Sequence, residues 1–104
     1  LGVSFGLTDY GRALNEFKRD HLGAVSQKTT VLVIGDARNN YDDPRADILK
    51  LIAEKSNRII WLNPENRAMW GSGDSVMLKY VPYCSIAREC NTLSHLEKVV
   101  RLLF

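Results

Sequence analysis

Thr29-Thr30-Val31-Leu32-Val33-Ile34-Gly35-Asp36-Ala37-Arg38-Asn39-Asn40-Tyr41-Asp42-Asp43 is the stretch whose reading decides the fold. Val31 to Ile34 is an unbroken aliphatic run, too short for a helix and bounded by turn residues. Such a run suits a strand covered on both faces, which means a parallel sheet between layers of helix. It ends at Gly35-Asp36, so a carboxylate appears where the strand leaves the core. In open α/β sheets ligands bind outside the carboxyl ends of the strands, which makes Asp36 the first candidate binding residue. Aspartate also opens turns, and on this stretch alone the two accounts stand level.

Working outward, the spacing of Tyr10, Ala13, Leu14 and Phe17 predicts a helix over 10–22, with Thr8 or Asp9 as its N-cap and Gly23 as its stop. The residues before Tyr10 read as loop. After the central strand, Asp42-Asp43-Pro44 carries the marks of a helix start, an acid at the cap and proline at the first helical position. Ile48, Leu49, Ile52 and Ala53 form that helix's buried face. Ile59-Ile60-Trp61-Leu62 reads as a second buried strand, ending at Asn63-Pro64. Strand, helix and strand make a βαβ unit, whose crossover is right-handed. Asp74 is the expected cap of a short helix from Ser75 to about Val81, stopped by Pro82. A weaker strand follows over 86–90. Thr92 then caps a last helix with Leu96, Val99, Val100 and Leu103 as its buried stripe. This alternation predicts an α/β fold with a mainly parallel sheet and helices on both faces.

Composition narrows the function classes. With 104 residues there is room for one domain. The formal net charge is only +2, and no basic stripe interleaves with aromatics, so nucleic acid is not implied. No apolar run is long enough to span a membrane, and no signal-peptide pattern opens the chain. Cys84 and Cys90 do not make a disulfide framework, so the reading is a reduced, cytoplasmic protein. Phosphate-cradle, dinucleotide and G-x-S-x-G signatures are all missing. His21 and His95 have no evident catalytic partner, and Cys84, Cys90 and His95 are too few and too loosely spaced for a structural zinc.

One pair remains. Thr8, just before the first helix, and Asp36, at the end of the following strand, belong to the same edge of the sheet. A hydroxyl and a carboxylate converging from two loops suit a hard cation such as Mg²⁺, which takes oxygen ligands and keeps several waters.

These residues carry a resemblance. Gly6-Leu7-Thr8-Asp9-Tyr10-Gly11-Arg12-Ala13-Leu14 resembles the loop that supplies the threonine of a metal-ion-dependent adhesion site (MIDAS) in von Willebrand factor A (VWA) domains. Val31 to Asn40 resembles the strand and loop that supply its last aspartate. The wording of 35–41, Ile60 to Glu65, Trp70 to Ser75 and Tyr80 to Cys84 is similar to the CoxE-like branch, and these blocks cover nearly the whole chain.

The resemblance implies a Rossmann-like, three-layer αβα fold and a metal site built from D-x-S-x-S, a threonine and an aspartate. Thr8 matches the threonine and Asp36 the aspartate. The D-x-S-x-S segment is absent, so residues 1–104 are expected to be the C-terminal portion of a single VWA domain with an incomplete metal site. The implied cofactor is Mg²⁺, held in the full-length parent and unbound in this fragment. The implied function is non-enzymatic protein binding, in which a partner's carboxylate completes the Mg²⁺ shell. A MoxR-type AAA+ ATPase is the partner the family suggests, in the maturation of metal-containing enzymes such as carbon monoxide dehydrogenase. Two rivals stand beside it: a Mg²⁺-dependent phosphoryl-transfer enzyme using Asp36 with Asp9, Asp42 or Asp43, and a metal-free scaffold. If the first strand of the domain is missing, the 30–35 strand is expected to be a sheet edge, and a homodimer pairing two such edges, or swapping the N-terminal helix between chains, is expected to follow.

Overall fold

The computed structural model describes residues 2–4 and 9–103. The chain runs β1 (Gly2–Ser4), α1 (Tyr10–His21), β2 (Thr30–Ile34), α2 (Ala46–Lys55), β3 (Arg58–Asn63), α3 (Met77–Tyr80), β4 (Ile86–Glu89) and α4 (Leu93–Leu103). The strands lie in the order β1-β2-β3-β4, every neighbouring pair parallel. The strands expected at 30–35, around Ile59 to Leu62 and at 86–90 are therefore parallel and adjacent in that order. The fold is α/β, Rossmann-like, with helices on both faces.

Sheet and helices interlock through a simple alternation. Val31 and Val33 of β2, with Ile59 and Trp61 of β3, point to the face covered by α1, α2 and α3. There they meet Tyr10, Leu14, Phe17, Ile48, Leu49, Ile52, Met77 and Tyr80 in one cluster. Ile60 and Leu62 point the other way and meet Val99 of α4, with Leu32, Ile86, Cys90 and Leu103 packed partly around them. The asymmetry follows from the winding. The strands advance across the sheet in one direction, and crossovers of one hand lay their helices on one face. Only α4, which follows the last strand, is free to return over the opposite face.

Several expectations need correction. The 30–34 strand is not an edge, because β1 pairs along it from Gly2 opposite Leu32 to Ser4 opposite Ile34. Two β2 edges therefore have no free ladder with which to build the expected homodimer. The stretch read as loop hid this strand because three residues are too few to show alternation. The second helix begins at Ala46, since Arg45 takes a left-handed conformation (φ 48°, ψ 48°) that helical bonding cannot pass through. Asp43 still accepts a backbone N–H, from Arg45 at 3.0 Å, but it closes a turn ahead of the helix.

Asp74 does not cap α3, which starts only at Met77. Its carboxylate turns instead to the loop after β2. Thr92 does cap α4, accepting from His95 N at 3.1 Å. Of the predicted α4 stripe, Val99 is buried and Leu103 partly so, whereas Leu96 and Val100 stay 46% and 45% exposed. Periodicity marked the apolar side of α4, but the sheet meets it along one row.

Candidate functional site

Asp36 sits two residues beyond the end of β2, and β3 fixes the backbone on both sides of it. Gly35 N donates to Leu62 O at 3.1 Å, extending the strand pairing past Ile34. The Trp61 indole Nε1 donates to Gly35 O at 2.9 Å, and Asn63 Nδ2 donates to Asp36 O at 3.2 Å. The carboxylate is oriented through one oxygen. Asp36 Oδ1 accepts Arg38 N at 2.9 Å and the Tyr10 hydroxyl at 3.2 Å. Burial pushes the Tyr10 phenol up to about 12, and the nearby charge of Asp36 acts in the same direction. Tyr10 thus keeps its proton at neutral pH.

The first turn of α1 is drawn onto the same loop. Asp9 caps the helix, its Oδ1 accepting Arg12 N at 2.9 Å. Tyr10 N donates to Asn39 Oδ1, and Asn39 Nδ2 donates to Asp42 O at 2.7 Å, so this buried amide links helix start and loop. Gly11 permits the approach, because a Cβ there would overlap the carbonyl oxygen of Asp43.

The loop itself is unusual in its backbone. Ala37, Asn40, Tyr41 and Arg45 all have positive φ without being glycine. Such conformations cost on the order of 1 kcal/mol or more each and persist only where surrounding bonds enforce them. Arg38 anchors the first half of this loop. Its Nε lies 3.0 Å from Glu65 Oε1 and its Nη2 lies 3.1 Å from Glu65 Oε2. Its Nη1 reaches Asp74 Oδ1 at 3.2 Å and also donates to Ser72 O. Asp74 Oδ2 accepts Asn40 N at 3.0 Å. That backbone N–H, followed by Arg38, holds the Asp74 carboxyl below its ordinary range. An antiparallel bridge between Arg38 and Ser75 completes the tie. The planar fork of arginine suits this three-way contact; a lysine ammonium would not match it.

Asp36 therefore stands where the sequence placed it, at the carboxyl end of the sheet. Thr8 lies outside the described residues. Asp9 and Asp43 are engaged with backbone N–H groups, and Asp42 is exposed. Among the described residues no group of three or more His, Cys, Asp or Glu is disposed to hold a metal ion. Asp36 does fit as one ligand to a hard cation: its Oδ1 is held in place, and no described residue bonds its Oδ2. Cys84 is a half-buried thiol donating to Tyr80 O at 3.4 Å, and burial pushes it up to about 12. Tyr10, Arg38, Asn39, Asn63, Glu65 and Asp74 went unremarked in the sequence as site residues. The strand-end rule that selected Asp36 also covers Asn63, the last residue of β3, and Glu65, two residues beyond it.

No described helix is long and apolar enough to cross a membrane. No curated protein and no solved structure matches the chain. A family model described as "VWA domain containing CoxE-like protein" matches residues 3–99. That span takes in all but the first residue of β1, the loop that orients Asp36 and most of α4, so the chain belongs to the CoxE-like family of VWA-domain proteins.

Proposed function

We propose that this chain is a non-enzymatic, metal-dependent protein-binding module in which Asp36 and Thr8 contribute to a Mg²⁺ site. A CoxE-like VWA domain is in general terms a protein-interaction module and an accessory domain. The observation that carries the finer reading is the state of Asp36. Its carboxylate emerges at the carboxyl end of β2 with Oδ1 oriented by Tyr10 and Arg38. Outer hydrogen bonds of this kind aim a ligand oxygen before the ion arrives. Tyr10 also brings the start of α1, two residues after Thr8, against the same loop. Bound Mg²⁺ would supply an open coordination position for a carboxylate of the partner. The partner proposed is a MoxR-type AAA+ ATPase, in the ATP-supplied cytoplasm.

Because the described residues offer a single carboxylate, metal affinity of the 104-residue chain is expected to be weak, on the order of 1 mM. Paramagnetic Mn²⁺ reports such binding by broadening nearby amide resonances. Broadening should centre on residues 35–38 and vanish in Asp36→Asn. Broadening that persists in that variant, or that centres on Asp42, Asp43 and Asp47 instead, would remove Asp36 from the metal site.

A further inference from the structure

A cavity of about 500 Å³ opens at the carboxyl end of β4 against α4, and none of the residues bonded to Asp36 lines it. Arg67, Arg88, His95 and Lys98 surround it, with one carboxylate, Glu89, among them. Both oxygens of that carboxylate are already used. Oε1 accepts the backbone N–H of Arg67 at 2.7 Å, and Oε2 accepts Asn91 Nδ2 at 3.2 Å.

Elsewhere on this surface three arginines pair with acids, Arg12 with Glu16, Arg19 with Asp20 and Arg45 with Asp47. Among the described residues Arg67, Arg88 and Lys98 have no ion-pair partner, yet they gather at one cavity. Arg67 is partly positioned, its guanidinium 5.0 Å from the centre of the Trp70 ring. Val99 and Leu102 add an apolar wall.

The mixed lining narrows the ligand. A bare phosphate has no use for an apolar wall. The chain's net charge of +2 also falls short of a nucleic-acid footprint. Carboxylates alternating with aliphatic side chains match the cations and the apolar wall, while Glu89 is already bonded to Arg67 N and Asn91. We propose that this cavity binds an acidic segment of a protein partner, with its carboxylates against Arg67, Arg88 and Lys98 and an aliphatic side chain against Val99 and Leu102. This site stands apart from Asp36 and needs no metal.

Fluorescence anisotropy with a labelled peptide of alternating Glu and Leu tests the assignment on the whole chain in EDTA. Saturable binding is expected, weakening as salt is raised because the contacts are exposed charges. Arg88→Glu combined with Lys98→Glu reverses two exposed cations without touching the core, and should weaken binding roughly tenfold. Asp36→Asn should bind normally. Thermal melts of each variant verify folding. Four results would overturn the proposal: no binding up to about 1 mM peptide, unchanged affinity in the folded double variant, displacement by inorganic phosphate beyond that caused by chloride of equal ionic strength, or equal binding of a labelled oligothymidylate.

Discussion

The two faces of the sheet are built from the same strands and are covered very differently. On one, Trp61 stacks on Tyr80 with ring centres 4.9 Å apart and lies 6.0 Å from Tyr10, all three essentially without exposure. On the other, Val99 is the single buried residue α4 contributes, and Ile34 of β2 stays 45% exposed. Alternating side chains gave each face comparable apolar material, so strand composition does not explain the contrast. The crossovers do: three helices serve one face and one serves the other. Most of the folding free energy should therefore reside on the α1–α3 side.

The largest effect is expected from Trp61→Ala, which empties the centre of the crowded face and removes the indole bond to Gly35 O. A loss of about 3–5 kcal/mol in urea unfolding is expected. A loss under about 1 kcal/mol would mean that the crowded face does not dominate.

A smaller effect tests how the rim above that face is held. Asp74 has its pKa lowered in the fold, first by Asn40 N–H and then by Arg38. The stability it contributes is present above its ordinary value of 3.8 and is lost as pH falls through the lower folded value. Asp74→Asn should therefore lower stability at neutral pH and show a shallower loss on acidification. Unfolding curves at a series of pH values measure this. An unchanged acid limb in the variant would leave the tie between the loops after β2 and β3 without energetic weight.

The smallest effect is expected from Val100→Lys on the open side of α4. If that side faces water, stability should move by no more than about 0.5 kcal/mol. A loss several times larger, with the melting temperature rising with protein concentration in the parent chain, would show that the half-covered face is buried in an assembly.

The same contrast marks how far the sequence could be read. β2, β3, α1 and α2 were legible because dense burial leaves unbroken runs or helical stripes. α4 was legible as a helix but not in its cover: a stripe names the apolar side of an element, not whether a neighbour reaches it. Arg45 ended an apparent helix start by backbone conformation alone, which Asp-Pro spacing does not encode. Asp36 was found because strand ends are where ligands bind. Arg38 was not, since Glu65 and Asp74 lie 27 and 36 residues away and pairs so distant leave no local pattern.

The single direction of winding has one more consequence. A crevice for a small molecule forms in open α/β sheets where strand order reverses and two loops part. No reversal occurs among the described strands. The loops after β2 and β3 and the end of β4 are bound to one another, Arg38 to Glu65 and Arg67 N to Glu89. Among the described residues the shoreline runs unbroken from the end of β2 to the end of β4. Its natural counterpart is a broad macromolecular footprint, laid across several loops at once.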